Sequence, residues 1–176
     1  MMNMLRVWHD AAVRFATRWM AGDALPFLAR LTLAGIFWRS LLTKVSTVNL
    51  LTYTEFINDF PVERARLRLP DLPLELKPAL VAQFRDDFAL PFIPPGWAAW
   101  AAVLAEFALP ILLVAGLATR LSAFALVLMT LVIQVFVYPQ AWWATHALWT
   151  VIGLYIVITG PGRASLDHLA GRLFAR

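Results

Sequence analysis

Residues 28–44 read LARLTLAGIFWRSLLTK, an apolar run that nevertheless carries Arg30, Arg39 and Lys44. Whether such a stretch crosses a membrane decides the fold. Of the 176 residues, 61% are hydrophobic and 15% charged, whereas soluble domains are about a quarter charged. Three further apolar stretches, Gly96–Ala118, Leu121–Tyr138 and Trp142–Thr159, approach the ~20 residues that cross a ~30 Å hydrocarbon layer as helix. With Pro26–Val48 they predict an all-α fold, an integral membrane four-helix bundle.

The flanking segments follow from periodicity. Leu5, Trp8, Ala12, Phe15 and Trp19 recur at helical spacing among Arg6, Arg14 and Arg18. They predict an amphipathic surface helix over 1–22 rather than a cleavable signal. Leu166, Leu169, Leu173 and Phe174 predict an amphipathic tail over 160–176, capped by Ser165. The connection 49–95 is expected to form a lid on the outer side. Within it Leu50–Phe60 is expected to continue the first helix until Pro61 stops it, and Pro78 to open a short helix through Leu80, Val81, Phe84 and Phe88.

Orientation follows from Lys and Arg in the connections. Arg6, Arg14, Arg18, Arg120, Arg163, Arg172 and Arg176 fall on one side if the spans alternate. The other side receives 49–95, where five basic residues face seven acidic ones. Both termini are therefore expected in the cytoplasm of a bacterial cell, with the chain in its inner membrane. Trp97, Trp100, Tyr138, Trp142 and Trp143 mark the outer boundary. The pI of 10.1 then reflects a basic inner surface facing anionic lipid and calls for no nucleic-acid partner.

An ionised Arg or Lys at the centre of a span costs ~2.5–3.5 kcal/mol, while each Leu, Ile, Phe or Val returns ~0.3–0.6. Arg30 and Lys44 lie near the span ends, where snorkelling can carry their charge towards headgroups. Arg39 lies about 13 Å from the outer end and Glu106, in the antiparallel second span, about 15 Å from the same boundary. The expectation is an Arg39–Glu106 contact, helped by Pro110, which deprives the Glu106 carbonyl of its helical donor. Against it, Arg39 and Lys44 are ~140° apart on the helix wheel, so one partner cannot face both. Polar or small stripes run along the other spans: Ala99, Ala102 and Glu106; Ala123, Thr130, Gln134 and Tyr138; His146, Thr150 and Gly153. Lys44, Glu106, Gln134 and His146 are expected to line an outward-facing polar pocket. Each also has a plainer role, as an interhelical hydrogen-bonding group or, for Thr130 and Thr150, a partner to its own backbone.

Several chemistries are excluded. The chain has no cysteine, so it has no disulfide, thiolate metal site or thiol exchange. Only His9, His146 and His168 occur, which removes a bis-histidine haem within one subunit and leaves His–Met or intersubunit ligation open. No spacing suggests a metal site. Gly160-Pro161-Gly162 predicts a helix stop, not a phosphate loop.

The order of several short motifs resembles the DoxX family of small four-span membrane proteins over about 29–169. They are Arg30-x6-Phe37-x6-Lys44, LPFIPP at 90–95, AEFALPILLVAGLATR at 105–120, VYPQAWWATHALW at 137–149 and GPGRASLD at 160–167. The resemblance marks Arg30, Lys44, Glu106, Gly116, Arg120, His146 and Asp167 as motif positions. Arg39-Ser40 stands where relatives usually have a small residue or His-Gly. The resemblance implies association with membrane redox or sulfur-stress systems, or with enzymes that modify copper-binding peptides. The expected function is a membrane subunit or anchor of a redox system with a quinone or small sulfur-compound site. There Glu106 and His146 would relay protons, and Lys44, Arg39 and Gln134 would hold an anionic oxygen. A small-anion carrier or channel and a scaffold for a partner enzyme are the alternatives. The expected partners are membrane lipid, a protein of that system and a second copy of the chain.

Overall fold

The computed structural model describes residues 2–57 and 60–174, with side chains for all of these except 2–5, 12, 16 and 21. Leu5, Ala12 and Arg176, used above, have side chains outside that set. Helix α1 (Met2–Trp19) passes through a π-helical turn, Met20–Ala24, into α2 (Leu25–Lys44). Two strands, β1 (Thr47–Ile57) and β2 (Phe60–Pro70), precede the short helix α3 (Leu80–Gln83) and the π turn Phe84–Phe88. Then come α4 (Pro95–Ala115), α5 (Thr119–Val132, prolonged as a π turn to Val137), α6 (Ala147–Thr159) and α7 (Leu166–Phe174). Four helices are long and apolar enough to cross a membrane: Arg6–Lys44, Pro95–Ala115, Thr119–Val137 and Pro139–Thr159.

Two expectations are corrected. The fold is not wholly α-helical, and Leu50–Phe60 does not prolong the first span. Instead β1 and β2 pair antiparallel from Thr47↔Pro70 to Ile57↔Phe60. Thr, Val, Tyr, Phe and Ile are enriched in β1, and β2 alternates Arg64, Arg66 and Arg68 with Ala65, Leu67 and Leu69. Both patterns suit a strand. Lys77 closes α2 at Lys44 instead, its Nζ donating to the carbonyls of Thr43 at 2.8 Å and Leu42 at 3.3 Å. A cation on terminal carbonyls is a favourable helix end.

The chain divides into two compact units, Met1–Gly35 with Ala108–Arg176, and Ile36–Phe107. In the first, α5 packs on α6, and Gly153 permits the approach because a Cβ there would run into the Val127 side chain. Ala123, Thr130, Thr150 and Gly153 are all buried along these two helices, as small-residue packing between spans requires. Thr130 and Thr150 donate to Leu126 O and His146 O, both at 2.8 Å. The second unit has its own core of Leu41, Val45, Leu80, Phe84, Ala98, Ala99 and Val103. Thus residues 74–90 of the long connection are the part that packs, whereas β1 is exposed along nearly its whole length.

At the start of α2, Pro26 has no N–H to offer the turn before it. The widened turn places Leu25 N–H on Met20 O, and the Gly22 carbonyl accepts instead from Arg163 N–H at 3.4 Å.

Candidate functional site

Within each of the two units, polar side chains read from the sequence are joined by hydrogen bonds. The first cluster lies within the second unit. Lys44 Nζ stands 2.9 Å from both Oε1 and Oε2 of Glu106 and 2.6 Å from Ser40 Oγ. Ser40 Oγ donates to Glu106 Oε1 at 2.9 Å. The three ammonium protons thus have three acceptors, and the hydroxyl accepts from one charged group while donating to the other. Glu106 is 0% exposed and the Lys44 side chain 14%. Leu41, Ala99 and Val103 are buried in the same unit, and Trp38 stacks on Phe107 at 6.0 Å between ring centres.

Arg39 is not the partner of Glu106; it is exposed, which corrects the pairing expected from depth. The physical reason is directional. Helical side chains lean towards the N-terminus of their own helix, so the ammonium of Lys44 is carried back to the turn of Ser40. Ser40 and Lys44, four residues apart, share a face, while Arg39 lies ~100° round the wheel from Ser40. Ser40 is the member that the sequence did not single out. Its spacing to Lys44 was the available signal.

The second cluster belongs to the first unit. Gln134 Nε2 donates to Pro139 O at 2.6 Å, which turns Oε1 towards His146 Nδ1 at 2.7 Å. Because Oε1 can only accept, Nδ1 carries the proton. His146 is buried and its ring lies 5.0 Å from Trp149. Tyr138, read on the same stripe, is exposed.

A third set gathers most of the remaining motif positions, also in the first unit. Asp167 accepts from the backbone N–H of Ala118 and Thr119, each at 2.8 Å, and gives its own N–H to Gly116 O at 2.8 Å. It therefore caps α5 from a distance, where Ala118 has no side chain to do so. Arg30, 1% exposed, donates through Nη2 to Ala164 O at 2.7 Å. Its Nη1 occupies the space that a Cβ on Gly116 would fill, and Gly116 has φ +70°. Snorkelling does not describe Arg30. Burial acts to raise the Asp167 carboxyl, but the N–H groups of Thr119 and Ala118 together with the Arg30 charge outweigh it and hold it below its ordinary value. Arg120 lies against Gly160, where an added Cβ would be 3.1 Å from its Nη2. Ser165 Oγ accepts from His168 N–H at 3.1 Å, the expected cap of α7.

Among the described residues, no group of three or more His, Cys, Asp and Glu side chains is placed to hold a metal ion. Four helices long and apolar enough to cross a membrane are the pattern of a multi-pass membrane protein. The family model described as DoxX matches residues 25–139, well over half of the chain, and the chain belongs to the DoxX family. The matched region includes Arg30, Lys44, Glu106, Gly116, Arg120 and Gln134, while His146 and Asp167 lie beyond it. Comparison with curated proteins and with solved structures returned no match.

Proposed function

We propose that this DoxX protein is the membrane-embedded subunit or anchor of a redox system in the bacterial inner membrane, with both termini in the cytoplasm. Its Lys44–Ser40–Glu106 cluster serves as the proton-exchanging group beside a quinone-type or small sulfur-compound substrate. The observation that carries this is a fully buried carboxylate in an apolar helix, met on both oxygens by one lysine. A purely structural pair is often no more stable than apolar side chains of the same volume, so an ionisable pair inside a span is a functional candidate. Lys44 is the member open to its surroundings. A proton arriving there can pass to Glu106 directly or through Ser40 Oγ, which has an acceptor contact to one and a donor contact to the other. The positive charge of Lys44 is already met by Glu106, which weighs against an anion-selective role for this pair. His146 and Gln134 are proposed as a second polar pair, with Nε2 of the imidazole left for proton exchange.

The test is Glu106→Gln in membranes where the variant inserts at the normal level. Loss of quinone-linked electron transfer supports the proposal, and unchanged transfer removes it. A Lys44→Met, Glu106→Leu double variant that complements fully would favour a scaffold.

A further inference from the structure

The ribbon formed by β1 and β2 stands exposed, and a lone two-stranded ribbon is marginal in water. Its register is regular from Thr52↔Ala65 to Ile57↔Phe60 and shifts between Asn49 and Thr52. Partners across a ladder share a face, and faces alternate along a strand. One face of this outer half therefore carries Tyr53, Glu55, Ile57, Phe60, Val62 and Arg64. The other carries Thr52, Thr54, Phe56, Pro61, Glu63 and Ala65. The Arg64 Nε to Glu55 Oε2 contact at 3.1 Å runs along the first face. Arg66 joins that face, its guanidinium 5.1 Å from the Tyr53 ring centre. The first face thus sets two arginines and one acid beside Tyr53, Ile57, Phe60 and Val62, while the second sets Glu63 and two threonines beside Phe56, Pro61 and Ala65.

We infer that this face docks on the phospholipid surface of the membrane that the chain spans. Tyr53, Ile57, Phe60 and Val62 enter the headgroup–acyl boundary, and Arg64 and Arg66 reach lipid phosphates. Three observations favour lipid over a protein. First, α2 ends at Lys44 and β1 begins at Thr47, so the ribbon is rooted where a spanning helix leaves the bilayer. Second, the register shift at its base is the kind of irregularity that bends a strand pair, allowing the outer half to turn towards the surface. Third, the face is small. Three residues from each of two strands are far fewer than the roughly 20–30 that each side of a stable protein interface contributes. Phe60, at 73% exposure, and Tyr53 are side chains of the kind that anchor at a membrane interface, and paired arginines complement phosphate.

The chain has no cysteine, so single labels can be placed at will. Ile57→Cys, Phe60→Cys, Thr52→Cys and Thr54→Cys, each in the full chain, would carry nitroxides in bilayers of phosphatidylglycerol and phosphatidylethanolamine. Collision with dissolved oxygen should dominate at 57 and 60, and collision with a water-soluble nickel chelate at 52 and 54. Nickel access at all four sites would overturn docking. Shielding of 57 and 60 from both reagents would also overturn it, by showing a protein cover, whether a second copy or another polypeptide. An Arg64→Glu, Arg66→Glu variant should lose the contrast; a contrast left unchanged would overturn the phosphate contacts. None of these positions belongs to the Lys44–Glu106 cluster, so failure here leaves the proposed redox role standing.

Discussion

Lys44 holds both carboxylate oxygens of Glu106 at 2.9 Å while keeping its third proton on Ser40, four residues back along its own helix. The Glu106 side chain is wholly enclosed and the Lys44 side chain is not. Charge is therefore neutralised where the medium is least able to solvate it.

Breaking that pair from one side should be costly. Lys44→Met leaves a buried carboxylate uncompensated and is expected to destabilise by about 3–5 kcal/mol. The Lys44→Met, Glu106→Leu double variant should recover most of the loss. Arg39→Ala, at an exposed position, should change stability by less than about 0.5 kcal/mol. Thermal unfolding of detergent-solubilised protein followed by size-exclusion chromatography measures all three, and a large Arg39 effect would reinstate it as a partner.

Gly116 and Gly35 should respond to alanine with opposite signs. At Gly116 the new methyl meets Arg30 and Ser165 at a left-handed φ of +70°, for a cost of about 2–4 kcal/mol. At Gly35 nothing lies within 4 Å, and the helix should gain about 0.5–1 kcal/mol. The same melting assay distinguishes them; equal effects would mean that Arg30 does not occupy the Gly116 space.

The Asp167 cap gives a pH dependence whose sign is set by its lowered carboxyl. A group whose folded value lies below its unfolded value stabilises fully above the unfolded one, about 3.9. That contribution fades as the pH falls through the folded value. Wild type should thus lose more stability than Asp167→Asn, whose side chain cannot titrate, on acidification below the ordinary carboxylate range. Melting curves at stepped pH, compared between the two, provide the check; parallel curves would exclude the cap as the origin.

The imidazole of His146 should be the Nδ1–H tautomer, because the Gln134 amide is oriented by Pro139 O. Nitrogen-15 chemical shifts in a Gln134→Leu variant should report loss of that preference. An Nε2–H tautomer in the wild type would reverse the amide.

The four apolar stretches, the caps at Ser165 and Gly160 and the buried stripes along α4, α5 and α6 were legible because long helices repeat one period many times. The Glu106 site was half legible. Depth along the helices suggested a cation but chose Arg39, since a calculation from α-carbon rise ignores the several ångströms a lysine stem travels back along its helix. The strands were missed because an apolar helix immediately precedes them, although RARLRL alternates with period two and TVNLLTYTEFI is rich in β-branched and aromatic residues. The convergence of Gly116, Asp167 and Arg30 depends on pairings between residues far apart in the chain, which no local period encodes.

Ser46 O accepts from Asp71 N–H at 2.9 Å, Ser46 N–H donates to Glu75 O at 3.1 Å, and Lys77 N–H donates to Lys44 O at 3.0 Å. The stems of the excursion from 47 to 70 are thereby stitched shut beneath it. Whatever is hung above those stitches can lengthen, shorten or be exchanged without reopening the seam, since loop length adds little closure entropy. The excursion is accordingly a permissive place to graft an epitope or fluorescent reporter, leaving the buried Lys44–Glu106 pair untouched.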